Sequence, residues 1–563
     1  MKKNRAIKPI LSRIFQGLFF ISFIWIYISV IFTNSGDMPW LSALLGIFFL
    51  AAGIGIAYFC NKIVAKWKTK TIHIIFAVIS IIILGILFYF GFSLKASYTW
   101  DIEGVYQASI SSILGNPDTS YLAMCPNNIF LYLVLKGLYK IVYAITGSTS
   151  TIFAIILNVI LIYITIIFIY LIANKLWGAH IGLLTAIICL CFAPFYTYAS
   201  QYYTDTFALP FVVIPIYLYL CAVTTEKCTF CNRQKNAENE SINTVSNYKT
   251  TCEKKYTFLY KKGDTTGKTP SKKYINLKIY ALYCSAGIIL ALGLKMKGSV
   301  AIILVAIILH LFLRTNIISF LKKAAVILVS FLIVIFSFNA AVKGRIFSPE
   351  LQEQTERPYT HYIMMGLRGN GGYSGEDSDF TASFTTQQEK KAANIEEIKK
   401  RIADFGFWGM LNHLTNKAVH NTWGDGTYTL FGEGIATIPQ TDSKLWLFLT
   451  SPNQEESNTS YYNIFYYYSQ GFHLAILTLL MISLGIGIKN GKIDGSLLFK
   501  IALFGLFLFL LIWETRARYV YSFTPLLLLI ASDTCNQLVN INFKKIKEKL
   551  FTQRKGHQKL SES

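Results

Sequence analysis

Apolar residues in this chain come in long unbroken runs, without the period of two or of three and four that marks half-buried strands and helices. Runs of roughly 17 to 25 residues can carry a helix across ~30 Å of hydrocarbon. They predict spans at Ile10 to Phe32, Trp40 to Cys60, Thr71 to Leu94, Thr151 to Ala173, Ile181 to Tyr198, Thr206 to Val223, Ile279 to Leu294, Gly298 to Leu313, Ala324 to Val342, Ile464 to Ile488, Leu497 to Trp513 and Tyr519 to Cys535. The expected fold class is an all-α polytopic membrane protein with about 12 transmembrane helices.

One further apolar stretch, Asn128 to Thr146, is broken by Lys136, Gly137 and Lys140, and its placement decides the topology. If it crossed, the loop from Thr224 to Leu277, with eleven Lys or Arg against five acids, would lie outside, against the positive-inside bias. Laid along the outer surface or re-entrant, it returns that loop to the cytoplasm and lets its lysines reach water and headgroups. This placement makes both termini cytoplasmic. The chain then reads as a multi-pass plasma-membrane protein of bacterial type. Residues 1–70 hold two extra N-terminal helices. Residues 71–342 form a transmembrane core with a first external loop at 95–150 and a cytoplasmic loop at 224–277. Residues 343–462 are an extracellular segment near domain size, residues 463–535 the C-terminal helices, and residues 536–563 a basic cytoplasmic tail.

Composition agrees: 53% of the 563 residues are hydrophobic and only 15% charged, with a mean hydropathy of +0.44, which excludes a soluble protein. The net charge of +23 gathers in loops between spans, so it speaks for topology and membrane lipids rather than for nucleic acid. The ten cysteines sit mostly in spans and inner loops, which argues against a disulfide framework. Cys228-Thr229-Phe230-Cys231 has only Cys252 as a companion and no nearby His, too little for a zinc site. His361, His413 and His420 follow no metal-ligand spacing. The sequon Asn458-Thr459-Ser460 carries no weight in a bacterial chain. No Walker A or dinucleotide fingerprint is present.

Three constellations carry candidate chemistry, all on the outer face. Asp101 and Glu103 follow a span directly, where an acid is costly to place and marks a functional site. A carboxylate at an apolar boundary can act as general base to a hydroxyl. A solvated loop acid or helix cap is the plain alternative. Asp205, preceded by Tyr202 and Tyr203, arrives on the same face and could orient an acceptor or bind a metal. The turn Trp513-Glu514-Thr515-Arg516-Ala517-Arg518-Tyr519 concentrates charge outside, against the topological bias. Arg516 or Arg518 is suited to a bidentate phosphate contact, with Lys295 and Lys297 as added point charges. Simple snorkelling of these side chains is the alternative there.

The order of these features resembles the GT-C superfamily of membrane glycosyltransferases. More narrowly it is similar to the bacterial family-39 type, relatives of protein O-mannosyltransferases and lipid A aminoarabinose transferases. The resemblance is carried by Trp100-Asp101 through Val105-Tyr106, the surface helix opened by Pro126-Asn127-Asn128, Tyr203-Thr204-Asp205-Thr206, and Glu514-x-Arg516-x-Arg518-Tyr519. It implies a polyprenyl-phosphate-linked sugar donor, a cell-surface acceptor and inversion at the anomeric carbon. Asp101 becomes the base, Asp205 the second carboxylate, and Arg516 or Arg518 a donor-phosphate contact. Tyr106, Tyr202 and Glu514 are candidates for positioning donor or acceptor. No cofactor is required by this reading, and a divalent cation is left open. Two departures, Ile102 between the acids and a single Pro126 where the family has a pair, leave open whether Asp101 or Glu103 is the base. The rival readings are a lipid-linked-glycan flippase or polymerase, which needs no base, and a transporter, whose ionisable groups belong near the midplane.

Overall fold

A computed structural model describes residues 2–33, 38–237, 272–428, 435–439, 445, 449 and 460–541. Cys252, the side chains of Cys228 and Cys231, most of the 224–277 loop, Asn458 and the tail beyond 541 lie outside the described residues.

Among the described residues ten helices are long and apolar enough to cross a bilayer, or eleven if the pair Ala179–Cys191 and Ala193–Ser200, bent by 59°, is one span. Contacts between helices sort their ends onto two faces. On one face the Asn158 amide donates to the carbonyls of Tyr198 and Ala199 at 3.0 and 2.9 Å. There Gly91 lies against Ile155 and Val159, and Lys295 donates to Asn339 at 2.7 Å. On the other face His73 meets the Tyr170 hydroxyl at 2.6 Å, Asn61 donates to Asn536 at 3.0 Å, Lys323 pairs with Glu226 at 2.8 Å, and Lys8 donates to the Phe312 carbonyl at 3.0 Å.

These contacts settle the ambiguous stretch, because Pro126–Thr146, one of the ten apolar helices, has both ends on one face. Its start lies beside Tyr121 and Tyr203, through Asn128. Near its end, Tyr139 donates to the Ser150 carbonyl at 3.1 Å, just ahead of Ile152–Trp177, whose Asn158 belongs to the same face. The helix therefore lies along that face, stapled to Trp100–Ile113 by Ser112 and Tyr132 at 2.9 Å. Among the described residues the other nine long apolar helices, the bent pair, and the shorter Gly298–Arg314 and Thr524–Val539 run between the two faces.

The structure adds one element that the all-helical expectation lacked. Strand β1, Ala96–Tyr98, pairs antiparallel with β2, Ile435–Pro439. This short ribbon ties the start of the first loop to the segment between residues 343 and 462. Within that segment the helices Tyr359–Met365, Gly375–Ala382 and Gln387–Ala418 surround a buried ion cluster. Asp377 receives Arg368 at 2.9 Å and Arg401 at 2.8 Å.

Candidate active site

Two short helical starts bring acids to the same face. Trp100 takes φ of 52°, a left-handed conformation that costs a non-glycine residue about 1–3 kcal/mol, and turns the chain from β1 into Trp100–Ile113. Asp101 stands in the first turn of that helix, where the exposed N–H groups favour an anion. Asp205 occupies the same place in Thr204–Phe207. Both acids line one cavity of about 570 Å³, together with Tyr121, Asn128, Tyr203, Lys297, Arg357, His361, Tyr362, Trp513, Glu514, Arg518 and Tyr519.

A chain of donors ends on Asp101. Tyr203 donates to Asn128 Oδ1 at 3.2 Å, Asn128 Nδ2 donates to the Tyr121 oxygen at 2.7 Å, and Tyr121 donates to Asp101 Oδ1 at 2.8 Å. Burial, with the charge of Asp101 adding to it, pushes the Tyr121 hydroxyl well above its ordinary value, so it stays a donor. Donors aligned in one sense polarise one another. The second oxygen, Oδ2, faces the Arg518 guanidinium at 3.7 Å. The Asp101 side chain is 38% exposed, whereas that of Asp205 is 5% exposed and paired with Lys297. Lys297 also lies over the Tyr519 ring, 5.1 Å from its centroid. Arg518 sits over the rings of Tyr203 and Tyr519 at 5.7 and 5.5 Å.

The turn that carries Arg518 is held by the 343–462 segment. Glu514 N donates to the Tyr362 carbonyl at 2.8 Å and Thr515 N to that of Gly371 at 2.9 Å, and Trp513 stacks on Tyr362 at 5.2 Å. Gly371 has φ of 78°, and a Cβ there would come within 2.6 Å of Lys417 Cδ. Only glycine lets this loop close over the turn.

Several candidates stand elsewhere. Glu103, two residues from Asp101 on a helix and so pointing well away from it, accepts from Gln107 at 2.6 Å and does not line the cavity. Tyr106 donates to the Thr149 carbonyl at 2.5 Å, and Tyr202 packs edge-on against Tyr98 at 4.8 Å. Tyr106 also packs edge-on against Tyr139 of the surface helix at 5.7 Å. Lys295 is engaged by Asn339, and Arg516 lies against Gly372. Glu514 does line the cavity, accepting from the Tyr519 hydroxyl at 2.8 Å. Sequence reasoning missed Tyr121, Tyr203, Arg357, His361 and Tyr362 as cavity residues.

Among the described residues no three His, Cys, Asp or Glu side chains converge, and Lys297 occupies the Asp205 carboxylate. A partly open carboxylate beside buried cations can take a proton from a hydroxyl while the cations hold an anionic group.

Comparison with known proteins adds to this geometry. Residues 268–539 match the family described as conserved hypothetical integral membrane protein. Residues 128–230 match the family described as dolichyl-phosphate-mannose-protein mannosyltransferase. That stretch runs from the surface helix through Tyr203 and Asp205, one wall of the cavity, and it bears out the resemblance to GT-C glycosyltransferases. No curated protein matches the chain. Among solved structures, the archaeal oligosaccharyltransferase AglB from Archaeoglobus fulgidus, in complex with an inhibitory peptide and a dolichol-phosphate, is similar at 12% identity and a TM-score of 0.41. The match covers 86% of this chain and 51% of that one, so this chain spans about half its length.

Proposed function

Proceeding from the mannosyltransferase match, we propose that this protein transfers a sugar from a polyprenyl-phosphate carrier to an acceptor hydroxyl at the outer face of the plasma membrane. One observation carries the reading. Asp101 and Asp205, more than a hundred residues apart, line a single cavity with Arg518 and Lys297.

In this mechanism the acceptor hydroxyl gives its proton to the free side of Asp101 while its oxygen attacks the anomeric carbon. The bond from that carbon to the phosphate oxygen breaks, and its electron pair leaves with the lipid phosphate. Arg518 and Lys297 hold that phosphate as its charge grows, where the low dielectric strengthens them. Tyr121, Asn128 and Tyr203 fix the carboxylate in one orientation, which is worth most when the reacting atoms must lie within about 3–3.5 Å. Asp205 positions Lys297. The apolar wall of Met296, Phe509 and Leu510 suits the first isoprene units of the carrier. The positive-inside bias supports the reading that both termini are cytoplasmic.

The test is direct. Purified protein in liposomes is given polyprenyl-phosphate-linked hexoses and pentoses together with a cell-envelope extract as acceptor, and free polyprenyl phosphate is measured over time. Release with one of these sugars supports the transferase. Saturable binding of the donors with no release from any would assign the cavity to a flippase instead.

A further inference from the structure

Beyond the cavity, the molecule's longest external helix, Gln387–Ala418, changes character at one residue. Gly406 takes φ of 57° and ψ of −168° and breaks the helix in two. Before it, residues 387–405 carry nine charged side chains; after it, residues 407–418 carry only Lys417. Phe407 and Trp408 are 74% and 76% exposed, and Leu411 is exposed one turn on, so the three share a side of the helix. In water such a patch would be a liability.

Contacts with the spans fix the depth of this second half. Thr415 Oγ1 accepts from Trp25 Nε1 at 3.2 Å, and Trp25 lies seven residues, or about 10 Å, short of the end of the span Ile7–Phe32. Trp423 packs edge-on against Phe23 at 5.2 Å, next to Trp25 in the same span. Lys417 donates to the Leu511 carbonyl at 3.1 Å, at the outer end of Gly495–Ile512. Thr415 and Trp423 therefore lie below the outer end of Ile7–Phe32, while Lys417 lies level with the outer end of Gly495–Ile512.

We propose that residues 407–418 form a monotopic anchor whose Phe407, Trp408 and Leu411 insert into the bilayer leaflet on the cavity face. The partner is the acyl and headgroup boundary of the lipid, where aromatic side chains are favoured and amphipathic helices settle about 5–10 Å deep. Gly406 permits the bend that lets the charged half remain in water. The anchor leads directly into Asn421, which donates to the Thr515 carbonyl at 2.6 Å, so the bilayer steadies the turn that bears Arg518.

The experiment does not depend on the proposed reaction. Full-length protein and its Trp408→Phe variant are placed in nanodiscs of phosphatidylcholine, with and without bromine on the upper acyl carbons. The difference in emission isolates Trp408 from the other eight of nine tryptophans. The anchor predicts blue-shifted Trp408 emission, quenched by more than about half by the brominated lipid and left unchanged by iodide. Emission at the wavelength of indole in water, quenched by iodide and insensitive to bromine, would overturn it.

Discussion

Asp101 and Asp205 begin helices in the same way at the same cavity, yet their surroundings differ. Asp101 keeps more than a third of its side chain open and receives a neutral hydroxyl, with Arg518 at a looser 3.7 Å. Asp205 is buried and committed to Lys297. An acid that must accept a proton needs one accessible oxygen, whereas an acid that must hold a cation needs enclosure. In the proposed mechanism these equivalent positions take unequal roles, one for the proton and one for the lysine that would hold the phosphate.

The largest expected effect breaks the comparison on the Asp101 side. Asp101→Asn lowers sugar transfer by ~10³-fold, the middle of the range for general-base catalysis, while Glu103→Gln stays within about threefold because its carboxylate accepts from Gln107 outside the cavity. Equal losses in initial-rate assays would show that the two acids share the role. Next comes the Asp205 side. Asp205→Asn strands a buried lysine, costing about 3–5 kcal/mol of stability. The double variant Asp205→Asn with Lys297→Met regains thermal stability but not donor affinity. A double variant no more stable than the single would deny the pairing its structural part. Smaller is Tyr121→Phe, which removes the donor on Asp101 and slows turnover about tenfold with KM for the donor unchanged; a rise in KM alone would move Tyr121 to binding.

The last effect, on stability alone, is a slope with pH. Burial, reinforced by Arg357, lowers His361 to about 4 from its ordinary 6.5. The folded state thus takes up fewer protons than the unfolded state between these values. Its stability contribution is present above pH 6.5 and lost as pH falls toward 4, by up to ~3 kcal/mol. Thermal unfolding across that window should fall more steeply for the wild type than for His361→Gln. Parallel slopes would remove His361 from the account.

The spans were legible because a helix in lipid must be apolar over its whole length, and charge in the loops then assigns the faces. That reasoning brought Asp205 to the face of Asp101, and the surface helix followed from charge on the 224–277 loop. The choice of Asp101 over Glu103 as the cavity acid was not legible, since it depends on which side of a helix faces the hollow. Arg518 lines the cavity and Arg516 does not, a difference set by where a four-residue helix starts. The chain from Tyr203 through Asn128 to Tyr121 joins residues 7 to 75 apart, and cross-chain hydrogen bonds leave no period in a sequence. His361 and Tyr362 line the cavity from a helix whose Tyr362 carbonyl accepts from Glu514 N, a contact between residues about 150 apart.

The most direct test separates binding from chemistry in one preparation of Asp101→Asn. Donor affinity is measured by equilibrium binding of a polyprenyl-phosphate sugar, and its single-turnover release in the presence of acceptor is followed in the same liposomes. The account predicts affinity within about threefold of the wild type and release slower by ~10³-fold. Release at the wild-type rate, or loss of affinity and release together, would contradict it.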